Sequence, residues 1–391
     1  MEIAVVIVNY NVKYYVEQCI RSVFRASKGL RVAVYVVDNC SSDGSIDYLS
    51  KRFPTVHFMA NKTNSGFSSA NNLAIKYAQS DYVALVNPDT LLSETVFRDC
   101  LELMHADAEV GGIGVKMFGA DGSFAYESRR GFPSPATSFY KITGLSQLFP
   151  YSKRFGRYYM RFLDKNAKSP IDILSGAFMF LRRKTLNEVG LLDEQFFMYG
   201  EDVDLSYRIT KGGYKNYYLP TPILHYKGES TKKNSTRYVK VFYQAMLIFF
   251  RKHFPHYTIG FSLLIKMAIY MRAAMALVKR AAGFFLTPKK EVEPRFIVLG
   301  SEAMIHQVRE LCKRNQLTRK HSFVVASERT APNGPYGLGI DLSLYTHVVY
   351  EMEQFSMQSI LQNSAAVASN LVIGTYSQES FVLILPNKVY T

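Results

Sequence analysis

Residues 3–11 read Ile3-Ala4-Val5-Val6-Ile7-Val8-Asn9-Tyr10-Asn11. Six apolar residues in a row, without alternation, describe a strand covered on both faces, as in the middle of a parallel sheet. The polar run that ends it falls where such sheets meet their ligands, beyond the carboxyl ends of the strands. Outward from this stretch the pattern repeats to about residue 120. Strand candidates Val32–Val37, Val56–Met59 and Tyr82–Val86 alternate with helix candidates Tyr14–Ala26, Ser45–Arg52 and Ser68–Gln79. The alternation predicts an α/β domain with a mostly parallel sheet.

Four polar motifs fall at that ligand edge: Asn9-Tyr10, Asp38-Asn39, Asn64-Ser65-Gly66-Phe67 and Asn87-Pro88-Asp89. Each alone has the chemistry of a cap or tight turn, and their shared position is what points to a ligand. Asp38 suits the ring N–H of a pyrimidine base, and Tyr10 offers that ring an apolar face. Asp89 follows the apolar run Val83-Ala84-Leu85-Val86, and Pro88 stiffens its approach. A carboxylate held so suits a divalent ion bridging a diphosphate, because Mg²⁺ takes only one or two carboxylates plus phosphate oxygens and water.

Further along, Phe196-Phe197-Met198-Tyr199-Gly200-Glu201-Asp202-Val203-Asp204-Leu205-Ser206-Tyr207-Arg208 puts three acids into four positions behind a glycine. One reading is a helix N-terminus with Asp204 and Arg208 as an i,i+4 surface pair. The other is an acid cluster that serves a site. His225 follows another short apolar run.

The 391-residue chain has room for two or three domains, and 48% hydrophobic residues exclude disorder. Its four cysteines, Cys19, Cys40, Cys100 and Cys312, have no metal-ligand spacing, so a reducing, cytosolic setting is expected. The chain opens directly on a strand pattern with no basic leader or small-residue cleavage site, so no secretory signal is expected. Of the net charge of +15, ten units sit in residues 236–290, which hold ten Lys/Arg and no Asp/Glu. That stretch contains the apolar run Ile259–Leu286, broken by Lys266, Arg272, Lys279 and Arg280. Those charges fall inside any spanning window, so an interfacial helix on an anionic membrane surface is expected, peripheral at the inner face of the cell membrane. Otherwise its apolar face would be covered by the C-terminal residues or by a second subunit of a homo-oligomer. No helix-turn-helix, zinc or RNA-binding signature accompanies the charge, which argues against a nucleic-acid partner. A second basic stretch, Arg129–Lys168, carries nine Lys/Arg against one Asp, with interleaved aromatics. It is expected to face phospholipid headgroups or the diphosphate of a lipid-linked acceptor.

The ordered motifs resemble the inverting family 2 glycosyltransferases of the GT-A fold, and within them the rhamnosyltransferase-like branch. Those named above are joined by Ala70-Asn71-Asn72, Ser175-Gly176-Ala177-Phe178-Met179 and His225-Tyr226-Lys227-Gly228-Glu229-Ser230, and together they cover about residues 1–255. The resemblance implies a nucleotide-diphosphate sugar donor, held by Asn9, Tyr10, Asp38, Asn39, Gly66, Asn71 and Asn87. It implies a divalent cation, Mg²⁺ or Mn²⁺, at Asp89, which stands at the last acid of the family's metal motif, and at His225. It also implies Asp202 as catalytic base, with Glu201 orienting the acceptor or the base. Rhamnose is the first expectation for the sugar, and a cell-surface polysaccharide or lipid-linked glycan for the acceptor. A membrane-associated scaffold that binds a nucleotide sugar without transferring it is the alternative.

Three parts are therefore expected: a GT-A domain over 1–255, a basic helical segment over 256–290, and a small Rossmann-like α/β module over 291–391. Residues 238–252 should form a helix packed on the first of these. The module opens on Arg295-Phe296-Ile297-Val298-Leu299-Gly300, but Ser301-Glu302-Ala303-Met304 follows in place of the further glycines of a dinucleotide loop. Glu302 would face a pyrophosphate, so a regulatory, partner-binding or degenerate module is expected rather than a second active site.

Overall fold

Every residue of β1 (Ile3–Asn9) is buried, as its unbroken apolar run requires. It lies between β2 (Val32–Asp38) and β4 (Tyr82–Val86), both parallel to it, and β3 (His57–Ala60) flanks β2. Beyond β4 the directions mix. The sheet continues through β8 (Phe178–Arg182), β6 (Val110–Phe118) and β9 (Lys215–His225) to β5 (Thr90–Leu92), with β7 (Ser169–Ile171) also paired to β9. Here β8 runs antiparallel to both β4 and β6, whereas β6 and β9 are parallel. The structure is a computed structural model that describes residues 2–228, 236–257, 293–366 and 371–391. The basic stretch Ile259–Leu286, with Glu229 and Ser230, lies outside the described residues.

The helices Lys13–Ala26, Ser45–Arg52 and Phe67–Tyr77 fall within two residues of their expected bounds. β1 and β2 each run one polar residue further than expected. Asn9 and Asp38 are register partners, so the ladder carries both side chains to the sheet edge.

A second sheet has the order β11 (Ser322–Val325), β10 (Phe296–Gly300), β12 (His347–Glu351), β13 (Val372–Ser377), β14 (Val382–Leu385) and β15 (Lys388–Tyr390). The first four are parallel, and β14 and β15 form an antiparallel hairpin on β13. The sequence reading had no place for that hairpin. Its signal is the turn Pro386-Asn387, where Asn387 sits at φ 61, a left-handed conformation that asparagine tolerates. At the carboxyl edge of this sheet the Glu351 carboxylate accepts from the Ser301 N–H (2.5 Å) and from the Ser301 hydroxyl (3.2 Å). A Cβ on Gly300 would meet that carboxylate at 2.6 Å. The slot before helix Glu302–Arg314 is thus filled by the module's own acid, and it is Glu351, not Glu302, that occupies it. Burial pushes the Glu351 carboxyl above its usual range, against the pull of the Ser301 hydrogen bonds.

The two sheets share one apolar core. Tyr15, Cys19 and Ile20 of the first helix belong to the same buried cluster as Ile373, Val382 and Ile384 of the second sheet.

Candidate active site

A series of hydrogen bonds gathers the separate motifs onto one rim. It begins where Nδ2 of Asn9 donates to Oδ1 of Asp38 (2.6 Å) and the Ser41 N–H donates to Oδ2 (2.8 Å), so the buried Asp38 is held from two sides. Oδ1 of Asn9 is buried with no hydrogen-bond partner among the described residues. Tyr10, next in the chain, keeps 39% of its surface exposed. Nδ2 of Asn39 donates to the Gly66 carbonyl (3.0 Å), and its Oδ1 accepts from Asn61 (2.8 Å) and the Ser65 hydroxyl (3.1 Å).

Gly66 joins this rim to the acid cluster. Its φ is +85°, and a Cβ there would lie 2.5 Å from the Phe197 carbonyl, so both conformation and space call for glycine. The Phe67 N–H donates to that same carbonyl at 2.7 Å. Asn72 donates to the Leu192 carbonyl (2.8 Å) and accepts from the Leu192 N–H (3.1 Å), which fixes the approach to the acids. Asn71 is turned inward instead, its amide on the Phe67 carbonyl one turn back (2.9 Å).

Helix Glu201–Lys211 starts at Gly200 and carries all three acids in its first turn, where its dipole favours them. Asp204 is not a surface residue. It is fully buried and bonded to Arg208 (2.8 Å), His253 (2.7 Å) and Lys252 (2.9 Å). Burial alone would raise its pKa, but His253, Lys252 and Arg208 together hold it down to about 2. Asp204 is thus the anchor for helix Thr236–His253, whose Ala245, Phe249 and Phe250 pack with Phe196.

Asp202 and Glu201 differ sharply. Oδ2 of Asp202 accepts from Arg130 and from the Gly176 N–H (3.2 Å), and Oδ1 accepts from the Val203 N–H (2.8 Å). Burial disfavours the Arg130 charge, but the Asp202 carboxylate outweighs this and raises its pKa. Glu201 is buried, and its Oε2 has no hydrogen-bond partner among the described residues. Burial, reinforced by the Asp202 charge, pushes the Glu201 carboxyl well above the ordinary range.

The rim closes through Asn87-Pro88-Asp89. The Asn87 N–H donates to the Ala177 carbonyl (3.0 Å), next to the Gly176 that touches Asp202. Asn87 itself is half-buried and its carbonyl accepts from the Thr90 hydroxyl (2.8 Å). Asp89 is buried, with Oδ1 3.3 Å from Nε2 of His225 and Oδ2 accepting from the Gly228 N–H (3.2 Å). β5 pairs Thr90 with His225, which puts these two side chains together. The carboxylate suits Mn²⁺ or Mg²⁺, and the imidazole beside it, a softer donor, favours Mn²⁺ of the two. Among the described residues no third His, Cys, Asp or Glu joins them, so a diphosphate and water would complete the shell.

Of the residues singled out in the sequence, Asn9, Asp38, Asn39, Gly66, Asn87, Asp89, Glu201, Asp202 and His225 lie along this connected rim, with Tyr10 beside it. Arg130 was missed. It counted only as one of nine basic residues in Arg129–Lys168, and nothing in its neighbours Arg129 and Gly131 sets it apart. Two of those nine turn inward rather than to a surface, since Arg129 is also buried and donates to the Leu163 carbonyl (2.8 Å).

Residues 4–190 match the family model described as Glycosyl transferase family 2. An N-acetylglucosaminyl-diphospho-decaprenol L-rhamnosyltransferase of Mycobacterium tuberculosis is 28% identical over 257 residues, 63% of this chain and 82% of the relative. The low-salt glycan biosynthesis hexosyltransferase Agl10 of Haloferax volcanii is 26% identical over 211 residues, 53% of this chain and 61% of its own. A solved mannosyltransferase of Pyrobaculum calidifontis, in complex with GDP-Man and Mn²⁺, superposes with a TM-score of 0.45 at 17% identity, over 72% of this chain and 76% of that one. Residues 4–190 of this chain thus match the family 2 glycosyltransferases, and the chain is similar to a rhamnosyltransferase over 257 residues.

Proposed function

We propose that the protein moves a sugar, rhamnose in the first instance, from a nucleoside-diphosphate donor to a hydroxyl of a cell-surface polysaccharide or lipid-linked glycan. The observation that carries this reading is the single connected rim from Asp38 through Gly66 and Asp202 to Asp89. A base, a diphosphate and an acceptor would all have to meet there. Asp38, with the unclaimed Asn9 Oδ1 beside it, receives the base, and Tyr10 supports its ring. Asn39 and Gly66 shape the wall next to it, and Asn87 leads the chain to Asp89. A cation held by Asp89 and His225 would bear the charge that grows on the leaving diphosphate.

Asp202 takes the proton of the acceptor hydroxyl as that oxygen attacks the anomeric carbon from the face opposite the diphosphate. The new C–O bond forms as the bond to phosphate oxygen breaks, the electron pair leaves with the diphosphate, and the configuration inverts. Arg130, bonded to Oδ2 of Asp202, holds that carboxylate in place before the acceptor arrives. Glu201, held protonated by its surroundings, has a hydrogen to donate and orients the acceptor or the base.

The domain plan follows the same boundaries: transferase 1–255, basic segment 256–290, module 291–391. No helix among the described residues is long and apolar enough to cross a membrane. The ten basic residues of 236–290 support peripheral attachment to an anionic surface, at about 1 kcal/mol each near the bilayer. Flotation with anionic but not neutral vesicles, reversed by salt, is the outcome that fits.

A thermal-shift screen of nucleoside diphosphates and their sugars, with and without Mn²⁺ or Mg²⁺, tests the donor reading directly. A dTDP or UDP sugar should raise the melting temperature most, and more with metal. No shift with any nucleotide would remove the proposal, and a shift without any sugar transfer would leave a binding scaffold.

A further inference from the structure

We propose that the C-terminal module is a positioning element for the diphosphate edge, acting through one buried hydroxyl, Thr375. The inference rests on the reading that Asp89 and His225 face the metal and diphosphate.

Tyr226 follows His225 directly. Its backbone N–H donates to the Asp89 carbonyl (3.0 Å), and its phenol lies 2.9 Å from the Thr375 hydroxyl on β13. Thr375 donates in turn to Oε1 of Gln18, on helix Lys13–Ala26. With the Gln18 oxygen toward Thr375, the Thr375 proton points to Gln18 and the Tyr226 phenol donates to Thr375. Gln18 and Thr375 are buried, and the Tyr226 ring packs edge-on to Tyr15, 5.7 Å between centroids.

Around this chain of hydroxyls the module grips the transferase at several further points. The Ile373 N–H donates to the Ala120 carbonyl (2.6 Å), and the Tyr15 phenol donates to the Leu385 carbonyl (2.8 Å). Glu94 takes the place of an N-cap for helix Met357–Ala366, accepting from Met357 (2.9 Å) and Gln358 (3.2 Å) N–H groups. Meanwhile the module's own ligand slot is occupied by Glu351. The module thus places several polar contacts on the transferase, and Thr375 within its strand β13 meets Tyr226, the residue beside a proposed metal ligand. Lys227 and Gly228, which follow, sit at φ 69 and 105, and the Gly228 N–H closes on Asp89. A turn in these conformations needs a fixed start, and the Tyr226–Thr375 bond supplies it.

The test is calorimetric titration of the full chain with UDP, dTDP or GDP, each with and without Mn²⁺, comparing wild type, Thr375→Val, Thr375→Ser and Asp89→Asn. Removal of one buried neutral hydrogen bond corresponds to about a two- to tenfold change in affinity. Thr375→Val should weaken Mn²⁺-dependent nucleotide binding by that factor and leave metal-free binding unchanged, and Thr375→Ser should restore it. Tyr226→Phe removes the same bond from the other side, and repeats the test should the valine variant fail to fold. Wild-type Mn²⁺-dependent binding in folded Thr375→Val, with Asp89→Asn impaired, would overturn the positioning role alone. Wild-type binding in Asp89→Asn would overturn the metal reading, and the positioning role with it.

Discussion

The two sheets share an opening plan and use it in opposite ways. In the first, β1 lies between β2 and β4, and in the second β10 lies between β11 and β12, all parallel. In both, the strand order reverses there, which is where such folds bind ligands. Each also places a carboxylate after the equivalent strand. Glu351 is the last residue of β12 and folds back onto the neighbouring Ser301 N–H. Asp89 stands three residues past β4, and Pro88 carries it clear of the slot to His225. A displacement of three residues separates an acid that fills its own site from one presented to a ligand.

Replacing the acids tests how far that contrast goes. The largest effect is expected from Asp202→Asn, whose amide keeps the shape of the base but cannot take a proton. Turnover should fall at least about a hundredfold, with donor affinity unchanged, since positioned bases contribute roughly 10²–10⁴. Near-normal turnover would move the role to Glu201. Next comes Asp38→Ala, which removes an ionised partner from the donor's base and also releases Asn9 and Ser41. Donor affinity by calorimetry should drop roughly ten- to a hundredfold. Unchanged affinity would make Asp38 a loop clamp, like Glu351.

A subtler outcome is expected for Glu201→Gln. A carboxyl whose pKa is raised by folding contributes stability fully below its ordinary value of 4.5 and loses it as pH rises through the folded value. The neutral amide does not titrate. The melting temperature of the mutant relative to wild type should therefore climb between pH 5 and 9, by roughly 5 °C. A pH-independent difference would mean that Glu201 is ionised throughout. The smallest change belongs to Glu351→Gln in the filled slot. It weakens one acceptor for Ser301 and should lower the melting temperature by about 3 °C with no change in turnover. Any loss of donor binding there would show that the second slot is not independent of the first.

The contrast between slots also marks what could be read in advance. Strands β1, β2 and β4 were legible because largely buried strands leave unbroken apolar runs, and the polar residues that follow them, Asn9, Asp38 and Asp89, stand out against that background. The opening strand of the second sheet, β10, was legible for the same reason, but β14 and β15 were not, being short strands joined by a turn that only Pro386-Asn387 announces. The partners of the acids were hidden for a different reason. Arg130 meets Asp202 from 72 positions away, and Lys252 and His253 meet Asp204 from nearly 50. Charge pairing over such separations has no periodicity to betray it. Asp204 and Arg208 did show the i,i+4 spacing, but spacing says nothing of burial, and the pair proved to be an internal anchor.

The grip of the module on helix Lys13–Ala26 bears on how the chain acquires its shape. Tyr15 and Leu385 are bonded across 370 positions, and Gln18 and Thr375 across 357. Contacts of that span are slow to find, because the loop they close must lose its freedom before they give anything back. During synthesis the outer face of one of the first helices waits uncovered until nearly the whole chain has been made. The proposed diphosphate edge, resting on Tyr226 and Thr375, is then among the last parts to become rigid, so a nascent or proteolysed chain would hold a nucleotide base before it could hold a diphosphate.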